Sequence, residues 1–280
     1  MADQAATLRV LRGGKTGEIA PARRAVAVTG GKGGIGKSTL SVNLAVAYAQ
    51  AGAKTLLVDT DLGMADLNLL LGVAPEKNVL DALGGAAVAD VLVDTHGVKL
   101  LPGLNGSNVL ANLGVGGLRR ILELVESLAP KFDSLVIDVA AGISSAQTMF
   151  AGATSSVVVV VNPEPLSIAD AYACLKVLAT EHAVTHAHIV ANRVLSRAHA
   201  DEVTARLTAL VNRFLDLDVT VLPPIPSDPA VAEAAQIGVP LLVHSPDAPA
   251  ARAIRSVAKA LGQLAAPQTW WRERAQGEAR

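Results

Sequence analysis

The sequence predicts an α/β fold built on a doubly wound, mostly parallel sheet. Three observations predict it. Short runs such as KTLLV (54–58) and SVVVVV (156–161) are nearly continuous in apolar residues, as strands buried on both faces are, and they alternate with segments of helical periodicity. The chain is 51% apolar but only 2% aromatic, so its core must be built from Ala, Val, Leu and Ile, which suits parallel strands covered by helices. A glycine-rich turn, within VAVTGGKGGIGKST (26–39), joins the first apolar run to the first helical segment.

Taken in order, residues 1–24 precede the first strand. They carry Arg9, Arg12, Lys15, Arg23 and Arg24, and Gly13-Gly14 breaks any helix there. This stretch reads as a flexible arm whose first residues could form a short helix, marginal on its own. Strands are then expected at 25–29, 54–58, 98–101, 134–138, 156–161, 187–191 and 219–222. Helices are expected at 38–51, 117–128, 145–152, 166–180, 200–214, 229–236 and 248–264. No composition shift marks a second domain, so 25–265 is one domain and 266–280 a polar tail holding Trp270-Trp271.

Bulk properties narrow the function classes. The net charge of −1 gives no global basic footprint for nucleic acid. The single cysteine, Cys174, excludes an intrachain disulfide and indicates a reducing compartment. The sequence shows no long uncharged apolar run and no signal-peptide pattern, so a cytoplasmic protein is expected.

The pattern Gly31-x4-Gly36-Lys37-Ser38 is that of a phosphate-binding loop. Glycines at 31, 33, 34 and 36 let backbone N–H groups approach an anion, and the helix opening near Lys37 adds its positive end. Lys37 would reach the β- and γ-phosphates, and the Ser38 hydroxyl would bind Mg2+. The expected ATP-binding loop is thus Gly31, Lys32, Gly33, Gly34, Ile35, Gly36, Lys37, Ser38 and Thr39. Two acids, Asp59 and Asp61, follow the second strand, where open α/β sheets bind ligands. The strand SLVID delivers Asp138 from a buried run, the arrangement that places one carboxylate on the Mg2+ water shell. No Glu follows Asp138, which leaves Asp61 as the better candidate for activating water.

Lys32 is not needed by an ordinary phosphate loop. With it, KGGIGKST resembles the deviant Walker-A ATPases of the MinD/ParA (SIMIBI) type. That resemblance implies ATP and Mg2+ as ligands, and a homodimer in the ATP-bound state. Lys32 would cross to the partner's nucleotide and act as an arginine finger does. It also implies roles for the acids: Asp61 orients the attacking water, Asp59 and Asp138 support the Mg2+ shell, and Ala141-Gly142-Ile143 forms the loop that senses the γ-phosphate. Val139-Ala140 departs mildly from the family pattern. Asn192 and Arg193, with Pro226 in the segment Ile225-Pro226-Ser227-Asp228, would surround the adenine. Slow, dimer-dependent hydrolysis is expected.

Two stretches are similar to the FlhG-type (FleN/YlxH) regulators of flagellar number. One is Asn162-Pro163-Glu164-Pro165-Leu166-Ser167-Ile168-Ala169-Asp170-Ala171-Tyr172, where Ser167 is the expected N-cap. The other is Asp3-Gln4-Ala5-Ala6-Thr7-Leu8-Arg9, which matches a DQAxxLR motif. The resemblance implies a helix that docks on the signal-recognition-type GTPase FlhF. There Gln4 would orient a hydrolytic water, Leu8 would anchor, and Asp3 and Arg9 would pair with the partner. Basal-body or transcriptional regulators are further partners of such a protein. A MinD-like division-site ATPase shares the core without needing DQAxxLR. A ParA-type DNA-positioning protein fits the charge and the PEP loop less well, and sequence-specific nucleic-acid binding is not expected.

The last helical segment places Ile254, Val257, Ala258, Leu261 and Leu264 on one face. That face predicts either the closing helix of the domain or the membrane-binding helix of MinD-like proteins. Trp270-Trp271, followed by Arg272 and Arg274, could anchor at the inner face of the cell membrane. His182, His186 and His188 share no face and predict no metal site, and Cys174 reads as a packed core thiol.

Overall fold

The computed structural model describes residues 24–61, 66–103 and 107–263. The arm residues Asp3, Gln4, Leu8 and Arg9, and the tail from 264 onward with Trp270-Trp271, lie outside the described residues.

The chain order is β1 (Arg24–Thr29), α1 (Lys37–Gln50), β2 (Thr55–Asp59), α2 (Leu67–Leu70), α3 (Val79–Leu83), α4 (Val88–Val91), β3 (Val93–Thr95) and β4 (Val98–Leu101). Next come α5 (Ser107–Leu128), β5 (Ser134–Asp138), α6 (Ser145–Ala153), β6 (Ser156–Val161), α7 (Pro165–His182), β7 (His186–Val194) and α8 (Arg197–Phe214). The domain closes with β8 (Asp218–Val221), β9 (Ile225–Pro226), α9 (Pro229–Ile237), α10 (Leu241–His244) and α11 (Pro249–Gln263).

The strands form one sheet in the order β3-β4-β2-β5-β1-β6-β7-β8, with β9 paired to β7. Every pairing is parallel except β3 with β4. That exception is a two-residue hairpin: His96 and Gly97 both take positive φ, as a primed turn requires, and Lys99 pairs with Asp94 across it.

Every residue of β1, β2, β5 and β6 is buried, because helices cover both faces. Alternate residues feed two cores. Ala25, Ala27, Leu135 and Val159 pack under α5, α7 and α8. Val26, Val28, Val136 and Val158 pack under α1 and α11. Helix α11 supplies Ile254, Val257, Ala258 and Leu261 to the second core, all fully buried. Its apolar face is the inner surface of the domain, so of the two expectations for this helix the closing role holds. Among the described residues, no helix is long and apolar enough to cross a membrane.

Two expectations need correction. The helix predicted at 117–128 extends back to Ser107 and is interrupted at Gly114, whose φ is 54°. Ser167 is not the N-cap of α7. The helix starts at Pro165 with Glu164 as its N-cap, because proline's fixed φ and missing N–H suit the first helical position. Ser167 instead accepts a hydrogen bond at Oγ from the Asn162 backbone N–H (2.9 Å), turning the chain as it leaves β6.

Candidate nucleotide and metal site

The site lies at the carboxyl ends of β1, β2, β5 and β7. The loop between β1 and α1 turns through Gly36, whose φ of 93° is open to glycine alone without strain. A Cβ on Gly36 would also stand 2.4 Å from Asn192 Nδ2. Asn192, buried at the end of β7, donates to the Ile35 carbonyl (2.8 Å) and accepts from the N–H of Arg193 (2.9 Å). Its amide therefore ties β7 to the phosphate loop. Arg193 takes a left-handed conformation, φ 56°. Strand β9 brings Pro226 alongside, with Ile225 opposite Asn192 and Pro226 opposite Val194. The structure thus gathers Asn192, Arg193 and Pro226 at one side of the loop.

Lys37 opens α1 and is buried, with its ammonium on the Lys32 carbonyl (3.2 Å). Burial lowers its pKa, against the pull of Asp138 and Asp61. Lys32 sits at the mouth of the loop. Its Nζ reaches Glu164 of the Pro163-Glu164-Pro165 turn at 3.0 Å, with both side chains substantially exposed. A pair so exposed is worth on the order of 0–1 kcal/mol and is readily broken.

Behind the loop, β2 and β5 set Asp59 directly beside Asp138. Both carboxyls are almost wholly buried. Asp138 accepts from Ser41 Oγ (2.6 Å) and from the Ser38 hydroxyl. Burial pushes it up to about 6, although Ser41, Ser38 and Lys37 pull the other way. Burial, together with the charge of Asp138, holds Asp59 well above the usual carboxylate range. Asp59 Oδ1 accepts the N–H of Asp61 (2.9 Å), which fixes the start of the loop after β2. A polar crevice of about 180 Å³, lined by Asp59, Asn68, Lys77 and Asn78, lies against this end of the sheet.

Buried, poorly solvated carboxylates beside a serine hydroxyl are a hard-oxygen set, and they fit Mg2+. Ser38, Asp59 and Asp138 are the residues that would hold it. The glycine loop, the desolvated Lys37 and the start of α1 fit the phosphates of a nucleotide.

Sequence reasoning missed Ser41, which lies one helical turn after Lys37 and also donates to its carbonyl (3.0 Å). The spacing was the available signal, since residues four apart share a helix face. It also named Glu164 without pairing it to Lys32. Thr60 was missed as well; its Oγ1 donates to the Asp138 carbonyl (2.7 Å). Among the described residues, no group of His, Cys, Asp and Glu forms a metal cluster. His182 meets Thr148 (2.7 Å); His186 and His188, against expectation, do share a face, because residues two apart on β7 point the same way, and their rings meet edge to face. Cys174 is buried, as expected of a core thiol.

A parallel sheet with a phosphate loop after its first strand, and carboxylates on the neighbouring strand ends, defines a P-loop nucleotide-binding protein. The chain belongs to the CobQ/CobB/MinD/ParA nucleotide-binding domain family, whose model matches residues 26–241. Among curated proteins it is similar to the antiactivator FleN of Pseudomonas aeruginosa, 36% identical over 236 residues covering 84% of each chain. It is also similar to the flagellum site-determining protein YlxH of Helicobacter pylori, 37% identical over 155 residues, covering 54% of this chain and 52% of that one. Both are FlhG-type proteins. Among solved structures, the cell division ATPase MinD of Pyrococcus furiosus superposes with a TM-score of 0.73 at 30% identity, covering 86% of this chain and 99% of that one. MinD of Pyrococcus horikoshii, complexed with Mg-ADP, gives 0.71 at 29% identity, covering 86% and 97%.

Proposed function

We propose that this protein is a slow, dimerising ATPase switch that regulates flagellar number or placement. The observation that carries the reading is the FleN likeness over 84% of both chains, joined to a phosphate loop that holds Lys32 at its mouth. ATP occupies the loop Gly31–Thr39, with Lys37 on the β- and γ-phosphates and the adenine between Asn192, Arg193 and Pro226. Ser38, Asp59 and Asp138 hold Mg2+, which supplies charge neutralisation on the phosphates. Lys32 leaves Glu164 and reaches the nucleotide of a second copy, so hydrolysis depends on the dimer. Asp61 orients the attacking water. Hydrolysis removes the γ-phosphate and with it the reason for the two copies to stay together.

The ATP-bound dimer serves partners in the cytoplasm: an FlhF-type GTPase through Asp3, Gln4, Leu8 and Arg9, and basal-body or transcriptional regulators. With the face of α11 buried, contact with the inner face of the membrane falls to the tail beyond Gln263. Liposome sedimentation with ATP, on the full chain and on a chain truncated at Pro267, tests it; equal, negligible pelleting removes the membrane from the scheme.

The experiment for the core is Lys32→Ala, which abolishes ATP-dependent dimerisation and hydrolysis if Lys32 acts in trans; wild-type behaviour refutes it. For the arm, GTP hydrolysis by the FlhF-type GTPase of the same cell is measured with a peptide of residues 1–20, wild-type and Gln4→Ala. The second reading, a MinD-like division-site ATPase, is favoured by the MinD superpositions. Absence of stimulation, or stimulation indifferent to Gln4, would favour that reading.

A further inference from the structure

One side chain closes the loop between Asp138 and α6. Gln147 Nε2 donates to the Ala141 carbonyl at 2.6 Å. Its Oε1 accepts from the Ser144 backbone N–H (3.1 Å) and from Ser144 Oγ (3.0 Å). Ser144 is the N-cap of α6, and its Oγ accepts the N–H of Gln147 in return (3.4 Å). Donor and acceptor of a single amide therefore grip the loop at both ends. Gly142 lies inside the grip with φ 128°, and a Cβ there would stand 2.0 Å from Gln147 Oε1.

Only half of this arrangement is needed to cap the helix. In a capping box the third helical residue accepts the N–H of the N-cap residue, and a glutamate does so as well as a glutamine. The Nε2 half is surplus to capping, and that half reaches Ala141. The Ala141–Gly142 peptide is trans, as all described peptides are. Its C=O and N–H therefore point in opposite directions. Holding the Ala141 carbonyl toward Gln147 turns the Gly142 N–H away from α6. The phosphate loop lies close by: a Cβ on Gly33 would be 3.9 Å from the Ala141 Cβ. The helix carrying Gln147 is itself anchored, since the neighbouring Thr148 hydroxyl donates to the Ser144 carbonyl (3.1 Å) and meets His182 Nε2 at the end of α7 (2.7 Å).

We propose that Gln147 is a positioning residue for γ-phosphate recognition: by fixing the Ala141 carbonyl it aims the Gly142 N–H at the nucleotide. This rests on the reading of Ala141-Gly142-Ile143 as the γ-phosphate-sensing loop. Gln147 acts on the difference between ATP and ADP and leaves binding of the shared diphosphate to the glycine loop.

The test uses the full chain with Mg2+ and measures dissociation constants for ADP and for a non-hydrolysable ATP analogue, alongside Tm. Gln147→Glu keeps the capping acceptor and removes only the donor. Gln147→Met removes both without adding charge. Both variants are expected to hold ADP within about 2-fold of wild type and to lose roughly 3- to 10-fold of the preference for the ATP analogue, the worth of one hydrogen bond. A purely structural role for the lost bond would lower Tm and leave the preference between ADP and the ATP analogue unchanged. A preference unchanged in both variants overturns the proposal. So does a loss confined to Gln147→Glu, which would be charge repulsion. Gly142→Ala separates the two levels. If it abolishes the preference while the Gln147 variants keep it, the loop senses the γ-phosphate without Gln147. If Gly142→Ala also leaves the preference intact, the sensing role of the loop falls, and this inference with it.

Discussion

If Asp138 helps to hold Mg2+ as proposed, Ser41 supports that site without touching the cation. Its hydroxyl lies 2.6 Å from Asp138 Oδ1 and donates from the second turn of α1, inside a site with almost no solvent. A hydrogen bond to a charged group is worth about 1.5–3 kcal/mol, and more is at stake where water cannot replace it. Ser41→Ala removes that bond and moves the already raised Asp138 further from ionisation. Because Mg2+ requires the carboxylate, its apparent affinity should fall roughly 10- to 100-fold, in line with the loss of outer-shell partners at other metal sites. The assay is a Mg2+ titration of a fluorescent ADP analogue bound to the protein, with an EDTA arm reporting metal-free nucleotide affinity. The EDTA arm should be nearly unchanged. Unaltered Mg2+ affinity in Ser41→Ala would refute the reasoning, and an equal loss in both arms would mean that Ser41 supports the loop and not the cation.

Three further outcomes are expected. Asp138 is raised from 3.8 to about 6, so the folded state binds a proton that the unfolded chain releases; this stabilisation is full below about pH 4 and is lost as pH rises through about 6. Urea unfolding of wild type against Asp138→Asn, without Mg2+, should show a difference that changes by up to about 3 kcal/mol between pH 4 and pH 7, at about 1.4 kcal/mol per pKa unit; a pH-independent difference would count against a titrating Asp138. Asn192→Ala leaves the Ile35 carbonyl without its partner and should cost about 1–3 kcal/mol in thermal unfolding, with weaker binding of ADP and ATP alike. Leu261→Ala opens a cavity beneath α11 and should cost about 2–5 kcal/mol; an unmoved Tm would mean that the helix is not docked in solution.

Strands β2, β5 and β6 were legible because each is buried on both faces, which leaves a short apolar run, and its length and β-branched content separate it from a buried helix. The stretch between β2 and β4 was not. Helices α2, α3 and α4 span four or five residues each, too short for periodicity, and they exist because the surrounding fold holds them. Strand β3 reads Val93-Asp94-Thr95 and is partly exposed, an edge strand with an acid in its centre, so its composition gave no sign of it. In the site, residues that resemble a known loop were visible at once. Residues that act through a neighbour were not: Ser41, Glu164 and Gln147 are ordinary polar residues until the fold brings Asp138, Lys32 and Ala141 to them.

Thr60 gives the end of β2 a second attachment. Its N–H and its hydroxyl both donate to the Asp138 carbonyl, at 3.1 Å and 2.7 Å. The peptide that starts the loop holding Gly142 is therefore also the post on which the loop holding Asp61 is hung. Two segments from distant parts of the chain share one pivot, so neither can swing without loading the other. A displacement of either segment would have to break both of these hydrogen bonds or carry the other segment with it.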